Sequence, residues 1–169
     1  MLSVLGCDKM GIRNSQELGS NLFLIAKRLL QNNNLCRLLV NTDKEPLLRP
    51  IEDTFSLLNN NIKVVPRIDE SEFNEEGKIA LVYPRGSIND SNSEFKSIEF
   101  HILVYTVLDT WVINNENLRP FLVMSEIEKS LKDKRINGIG TMKYEGFELT
   151  TLTDKLSCYQ MIFNIDVFD

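Results

Sequence analysis

The sequence predicts an α+β fold, a mostly antiparallel sheet with two main amphipathic helices packed on one of its faces. Three observations carry that expectation. The stretch from Ile98 to Val112 (IEFHILVYTVLDTWV) alternates like a half-buried strand, with Ile98, Phe100, Ile102, Val104, Thr106 and Leu108 on one side. Two other segments repeat apolar residues at spacings of three and four, the period of a helix with one buried stripe. The last strand-like run, through Tyr159, Met161, Phe163, Ile165 and Val167, alternates without a break.

In chain order, residues 1–13 lack a period and read as an arm or lead-in. Asn14 with Glu17 resembles a capping box. Leu18, Leu22, Ile25, Ala26, Leu29 and Leu30 then form one stripe, so a helix is predicted from Gln16 to Gln31. A short helical piece follows at Leu35–Val40 with Asn34 as its cap, and another is predicted from Pro50 through Leu58. Ile62–Ile68 reads as a strand held to a sheet edge by Pro66, which cannot donate to a ladder.

Asp69–Lys78 (DESEFNEEGK) sets Asp69, Glu70, Glu72, Glu75 and Glu76 around Phe73. Such a run is either a solvated loop or one that faces a lumen or partner, with Phe73 as an anchor. Ile79–Ile88 and Phe95–Ile113 read as an antiparallel hairpin, bent around Pro84–Ser87 and closed by the tip Asn89, Asp90, Ser91, Asn92 and Ser93. At ~3.3 Å per residue the long strand would reach about 50 Å, against ~17–20 Å for an ordinary one, so a break is expected near Asp109. Its second face begins polar with Glu99 and His101 and turns apolar at Leu103, Tyr105 and Val107, with Trp111 beyond. That half needs a cover, from a helix of this chain or from a neighbouring copy.

Pro120 suits the first turn of the second helix. Leu122, Val123, Ile127 and Leu131 are its expected buried stripe, Glu126, Glu128, Lys129, Lys132 and Asp133 its wet face, and Gly138 its left-handed stop. Ile139–Leu152 is predicted as a strand bulged at Gly146, Thr153–Lys155 as a turn, and the remainder as the closing strand.

A length of 169 residues fits one domain over the whole chain, and 43% hydrophobic with 25% charged residues is the make-up of a globular protein. No run nears the ~18 apolar residues of a spanning helix, and no basic region precedes the apolar residues of the N-terminus, so neither membrane nor signal peptide is expected. Cys7, Cys36 and Cys158 are too scattered for a zinc clamp and read as reduced small hydrophobes. A net charge of −5 without a basic cluster argues against gripping nucleic acid, since phosphates are held by Lys and Arg.

Reaction chemistry finds no foothold. His101 is the only histidine, with no nucleophile or metal partners in an evident pattern. Gly138-Ile139-Gly140 follows a helix instead of opening one, so no phosphate loop is read there. Carboxylate pairs of Asp109 with Asp154 or Asp166 remain conceivable across strands. No catalytic, cofactor-binding or metal-binding residue is assigned.

As an ordered set the elements resemble a known family. These are the helix NLFLIAKRLL, a strand ending in Tyr83-Pro84, the strand FHILVYTVLDTW, a helix opening with Arg119-Pro120, the turn residue Asp154 and the strand YQMIFNIDVF. Together, over roughly residues 16–169, they resemble the tail terminator, or tail completion, proteins of tailed bacteriophages. The segment from Leu35 to Ile68 is longer than that family's compact pattern.

The resemblance implies a structural virion protein of the head–tail junction, assembled in the host cytoplasm. It further implies a six-fold homo-oligomeric ring that caps the tail tube, meets the neck or connector proteins and lets DNA pass unbound. Interface or lumen contacts would come from the hairpin tip (Asn89–Ser93), from Tyr105, Val107 and Trp111, and from the acidic loop. A neck stopper or adaptor on the portal side is the nearest alternative. A small α+β enzyme and a cytoplasmic adaptor module are the rivals from other classes.

Overall fold

A computed structural model describes residues 15–88, 95–114, 116–136 and 138–166. Residues 1–13, the cap Asn14 and the tip Asn89–Ser93 lie outside them.

The first helix, α1 (Ser15–Leu30), buries Ile25, Ala26, Leu29 and Leu30 along the stripe expected of it. The second, α2 (Asn33–Val40), begins earlier than predicted, because the side chain of Asn32, not Asn34, accepts from the Leu35 amide. No helix starts at Pro50. Two single 3₁₀ turns, Pro46–Leu48 and Phe55–Leu57, carry the chain across this region. The strand predicted to reach Ile68 stops after two residues as β1 (Ile62–Lys63), well before Pro66.

Next come β2 (Lys78–Ile88) and β3 (Phe95–Val107), the expected antiparallel hairpin. The expected irregularity at Pro84 does not end the strand. The chain absorbs the proline as a register shift between Val82 and Arg85 and runs on. The long strand breaks where its length required, passing at Val107 into a 3₁₀ turn (Leu108–Thr110). A small ladder of β4 (Val112–Ile113) with β5 (Asn117–Leu118) then leads into α3 (Arg119–Leu131). Asp133, at φ 55°, makes the left-handed stop, whereas Gly138 (φ 80°) serves the turn between β6 (Arg135–Ile136) and β7 (Gly140–Leu152). The closing strand is β8 (Leu156–Asp166), and β7 carries the predicted irregularity between Tyr144 and Gly146.

The fold is α+β. The six strands order β1-β2-β3-β8-β7-β6, antiparallel except for the β1–β2 pair, and α1, α2 and α3 bury their stripes in the same core as one face. That face presents Ile98, Phe100, Ile102 and Val104 from β3, with Met161, Phe163 and Ile165 from β8. Across it runs an aromatic row, Tyr83–Phe100–Phe163–Tyr144, with ring centroids 5.5, 6.1 and 5.1 Å apart.

The outer members of the row bury hydroxyls that find no hydrogen-bond partner among the described residues. An unsatisfied buried hydroxyl costs about 1–3 kcal/mol. Tyr83→Phe and Tyr144→Phe are each expected to stabilise the protein by ~1 kcal/mol in urea unfolding. A destabilisation of that size would show that the hydroxyls are bonded.

Glu126, assigned to the wet face of α3, is buried. Asn32 explains it: its amide donates to the Glu126 carboxylate and carbonyl and to Ser130 Oγ, at 3.0, 3.1 and 3.0 Å. Lys129 closes the carboxylate from outside at 2.6 Å. Helical spacing alone could not reveal a partner 94 residues away.

Candidate interaction surface

The second face of β3 has a cover, and it is neither a helix nor a neighbouring copy. The chain between β1 and β2 folds over it, so that Ile68 packs with Ala80, Tyr105 and Cys158, flanked by Val65, Phe73 and Leu103. Tyr105 and Val107 each keep only 8% of their surface open. Phe73, the expected anchor for a partner, is turned inward, its ring 5.4 Å from that of Tyr105. The need for a cover was read correctly. Its source was not among the two considered, because a mostly acidic segment gives no periodic sign that it will lie on a sheet.

The acidic loop is therefore partly structural. Asp69 caps a 3₁₀ turn (Glu70–Glu72) by accepting from the Ser71 amide and hydroxyl at 2.9 and 2.6 Å, and Glu72 is bonded to Lys63. Glu76 accepts from Asn61 at 2.9 Å. Glu70 and Glu75 point into solvent, with Thr153 Oγ1 3.4 Å from Glu70.

These bonds hold the carboxyls of Asp69 and Glu72 below their ordinary values of 3.8 and 4.5. A depressed carboxyl stabilises the fold fully above its ordinary pKa and loses that contribution as the pH falls toward the folded value. Acidification below about pH 4 is thus expected to loosen this cover ahead of the main core. Amide protection at Ser71 and Glu72, corrected for intrinsic exchange, checks it; protection unchanged down to pH 2–3 would contradict it.

Other sequence candidates scatter. His101 bonds Glu99 at 2.6 Å on the partly open sheet face. Cys36 and Cys158 are buried thiols, raised by desolvation, Cys36 to about 11, which leaves them protonated and unreactive at neutral pH. The Leu108 amide donates to the Lys155 carbonyl at 2.8 Å, so Asp109 and Asp154 sit on neighbouring segments at one end of the sheet. The register places Asp166 at the other end of β8. Among the described residues no three His, Cys, Asp or Glu side chains converge as metal ligands would.

An open apolar surface lies elsewhere, at the end of the sheet near Asp109 and Asp154. After the shift at Gly146, Phe147 and Leu149 face the helix side, opposite Met161 and Tyr159 on β8, and Leu152 stands opposite Ser157. The helices do not reach over them. Phe121, in the first turn of α3, is the last helical side chain to touch this region, its ring 6.1 Å from Phe147 and 5.3 Å from Tyr159. Trp111 closes the group from below, 6.3 Å from Tyr159, and next to it Val112 pairs with Leu118.

Leu152 is 62% exposed, Val112 61%, Phe147 53% and Leu149 48%. With aromatic side chains carrying ~150–250 Å² each, the open apolar area is on the order of 500 Å², the upper range for a monomer's largest patch. Of the sequence candidates among the described residues, the half-buried Trp111 alone belongs to it.

Sequence reasoning missed Phe121, Phe147, Leu149 and Leu152. The last three lie in a stretch expected only to be a strand, and only the register against the start of α3 reveals that the covering layer ends first. The one available signal was Phe121 beside Pro120 at a helix start, where a buried stripe has barely begun.

An α+β protein with one uncovered apolar sheet end is what the fold and this surface define. A family model, YomW, matches residues 32–165, and the chain belongs to the YomW family. The family name is phage-derived, which marks the chain as phage-associated. Among curated proteins none matches it. No helix of the described residues is long and apolar enough to cross a membrane.

Proposed function

We propose that this protein is a structural component of the phage head–tail junction, a terminator-like subunit that assembles into a ring capping the tail tube. The observation that supports it most is the open apolar end of the sheet, a surface too large to be left wet without purpose. A ring is a closed head-to-tail assembly, which requires such a patch to meet a different one on the next copy. Membership of a family with a phage-derived name agrees with this setting.

In this reading the work is mechanical. The assembled subunits seal the tube and present a rigid face to the neck, with no covalent step. The exposed carboxylates of the acidic loop, Glu70 and Glu75 among them, suit a lumen that lets DNA slide. Like charges repel over a Debye length of ~8 Å at physiological salt, so phosphates are not held.

Native mass measurement with negative-stain imaging of the purified protein, alone and with tail tubes, tests the proposal. Rings with a central hole, free or at tube ends, are expected. A protein that stays monomeric at high concentration and leaves tube ends bare would overturn it.

A further inference from the structure

The open end of the sheet invites the question of what covers it. A second apolar patch supplies a candidate. On the outer face of α1, Phe23 and Leu24 are 41% and 43% exposed, although a helix with one buried stripe should keep that side polar. Lys27 and Arg28 follow one turn later, both exposed. The surroundings of the sheet-end patch lean the other way: Asp109, Glu116, Asp154, Glu70 and Glu45 stand exposed near it, against Lys155, Arg67 and Lys44.

The two patches lie at opposite ends of the molecule. Asn21, two residues before Phe23, lies 3.5 Å from the carbonyl of Gly138 at the β6–β7 turn. The sheet-end patch sits where β7 finishes at Leu152. One molecule cannot join them, but two can.

We infer that Phe23 and Leu24 of one copy dock on the Phe121–Phe147–Leu152 surface of the next, with Lys27 and Arg28 facing Asp109, Glu116 and Asp154. This contact rests on the ring proposal and names the surfaces that make it. Three features single out a second copy as the occupant. The rim charges are complementary, the patches face opposite ways as a head-to-tail contact needs, and the open area is more than half of the ~800 Å² per partner in a standard interface.

The test uses two full-length variants, Phe147→Asp on the sheet end and Leu24→Asp on α1, with Lys27→Glu/Arg28→Glu as a purely electrostatic counterpart to the second. All change exposed side chains, and thermal melting verifies folding. Sedimentation velocity and native mass are read for each alone and for an equimolar mixture of the sheet-end and α1 variants.

Wild type is expected to assemble, and each variant alone to weaken self-association about 30-fold or more. The mixture is expected to form a dimer and nothing larger, because one good surface of each kind survives between them. If wild type assembles and the variants assemble equally well, the inferred contact is overturned while the ring stands. An assembly lost in Phe147→Asp but untouched by both α1 variants would show that the sheet end meets something other than α1, which also overturns it. A wild type that never assembles, with or without tubes, removes the ring and this contact together.

Discussion

Replacing Arg119 by methionine is expected to cost ~3–5 kcal/mol of stability, a large share of the 5–15 kcal/mol that holds a typical domain. The side chain is 2% exposed and faces no carboxylate of the described residues at bonding distance; its guanidinium spends its donors on main-chain carbonyls. Nε donates to Thr110 at 2.7 Å, Nη1 to Leu38 and Asn41 at 2.9 and 2.5 Å, and Nη2 to Asp43 at 2.7 Å. One residue thereby ties the end of α2 and the chain beyond it to the turn that ends β3.

The carbonyls of Leu38 and Asn41 lie at the negative end of α2, where a cation is favoured. Methionine fills the volume but leaves these acceptors without donors, at about 1–3 kcal/mol for each that water cannot reach. Burial lowers the pKa of Arg119, yet a guanidinium stays charged at any ordinary pH. Arg119→Lys should recover only part of the loss, since a point charge cannot reproduce the fork. Urea unfolding checks both; a change below ~1 kcal/mol in the methionine variant would show that this clamp carries no weight.

The second large effect is expected at Phe163. Phe163→Ala should destabilise by ~3–5 kcal/mol, because the ring is fully buried in the aromatic row between Phe100 and Tyr144 and cannot be replaced by collapse of rigid neighbours. Phe147→Ala makes the contrast. The residue lies on the same face one strand away, but more than half of it is open, and its loss should cost under ~1 kcal/mol in the isolated subunit. Equal losses at the two sites would mean that the sheet is covered from end to end.

That contrast also marks what could be read in the sequence. Strict alternation placed Phe100, Phe163 and Ile165 on one buried face, and the improbable length of an unbroken strand announced the break at Leu108–Thr110. Spacing located α1 to within a residue, and Pro120 the start of α3, but the stop of α3 falls at Asp133 and not at the expected Gly138. What failed was set by distant partners. The chain leading into the path from Pro46 to Leu58 is tied at Asn41 and Asp43 by Arg119 and at Lys44 by the Asn114 amide, and no local propensity records such ties. Asn32 captured Glu126 from the expected wet face in the same way.

The surface was harder still. Tyr105 and Phe73 read in the sequence as contacts for a partner, and the chain packs them against each other under the acidic loop, with Val107 buried as well. Phe147 and Leu149 lie in a stretch expected only to be a strand, and the helices end short of them. Period says which side of a strand faces the covering layer. It does not say how far that layer extends.

The protein's one tryptophan happens to sit at the border of the open sheet end, half-buried beside Tyr159 and Val112. Its emission, followed from nanomolar to high micromolar protein, reports directly whether a sister copy closes over that surface. A blue shift with rising concentration, abolished by Phe147→Asp, is expected. Emission that stays constant over the whole range, in a protein shown by mass to be assembled at the top of it, would mean that the sheet end remains wet and is not where the copies meet.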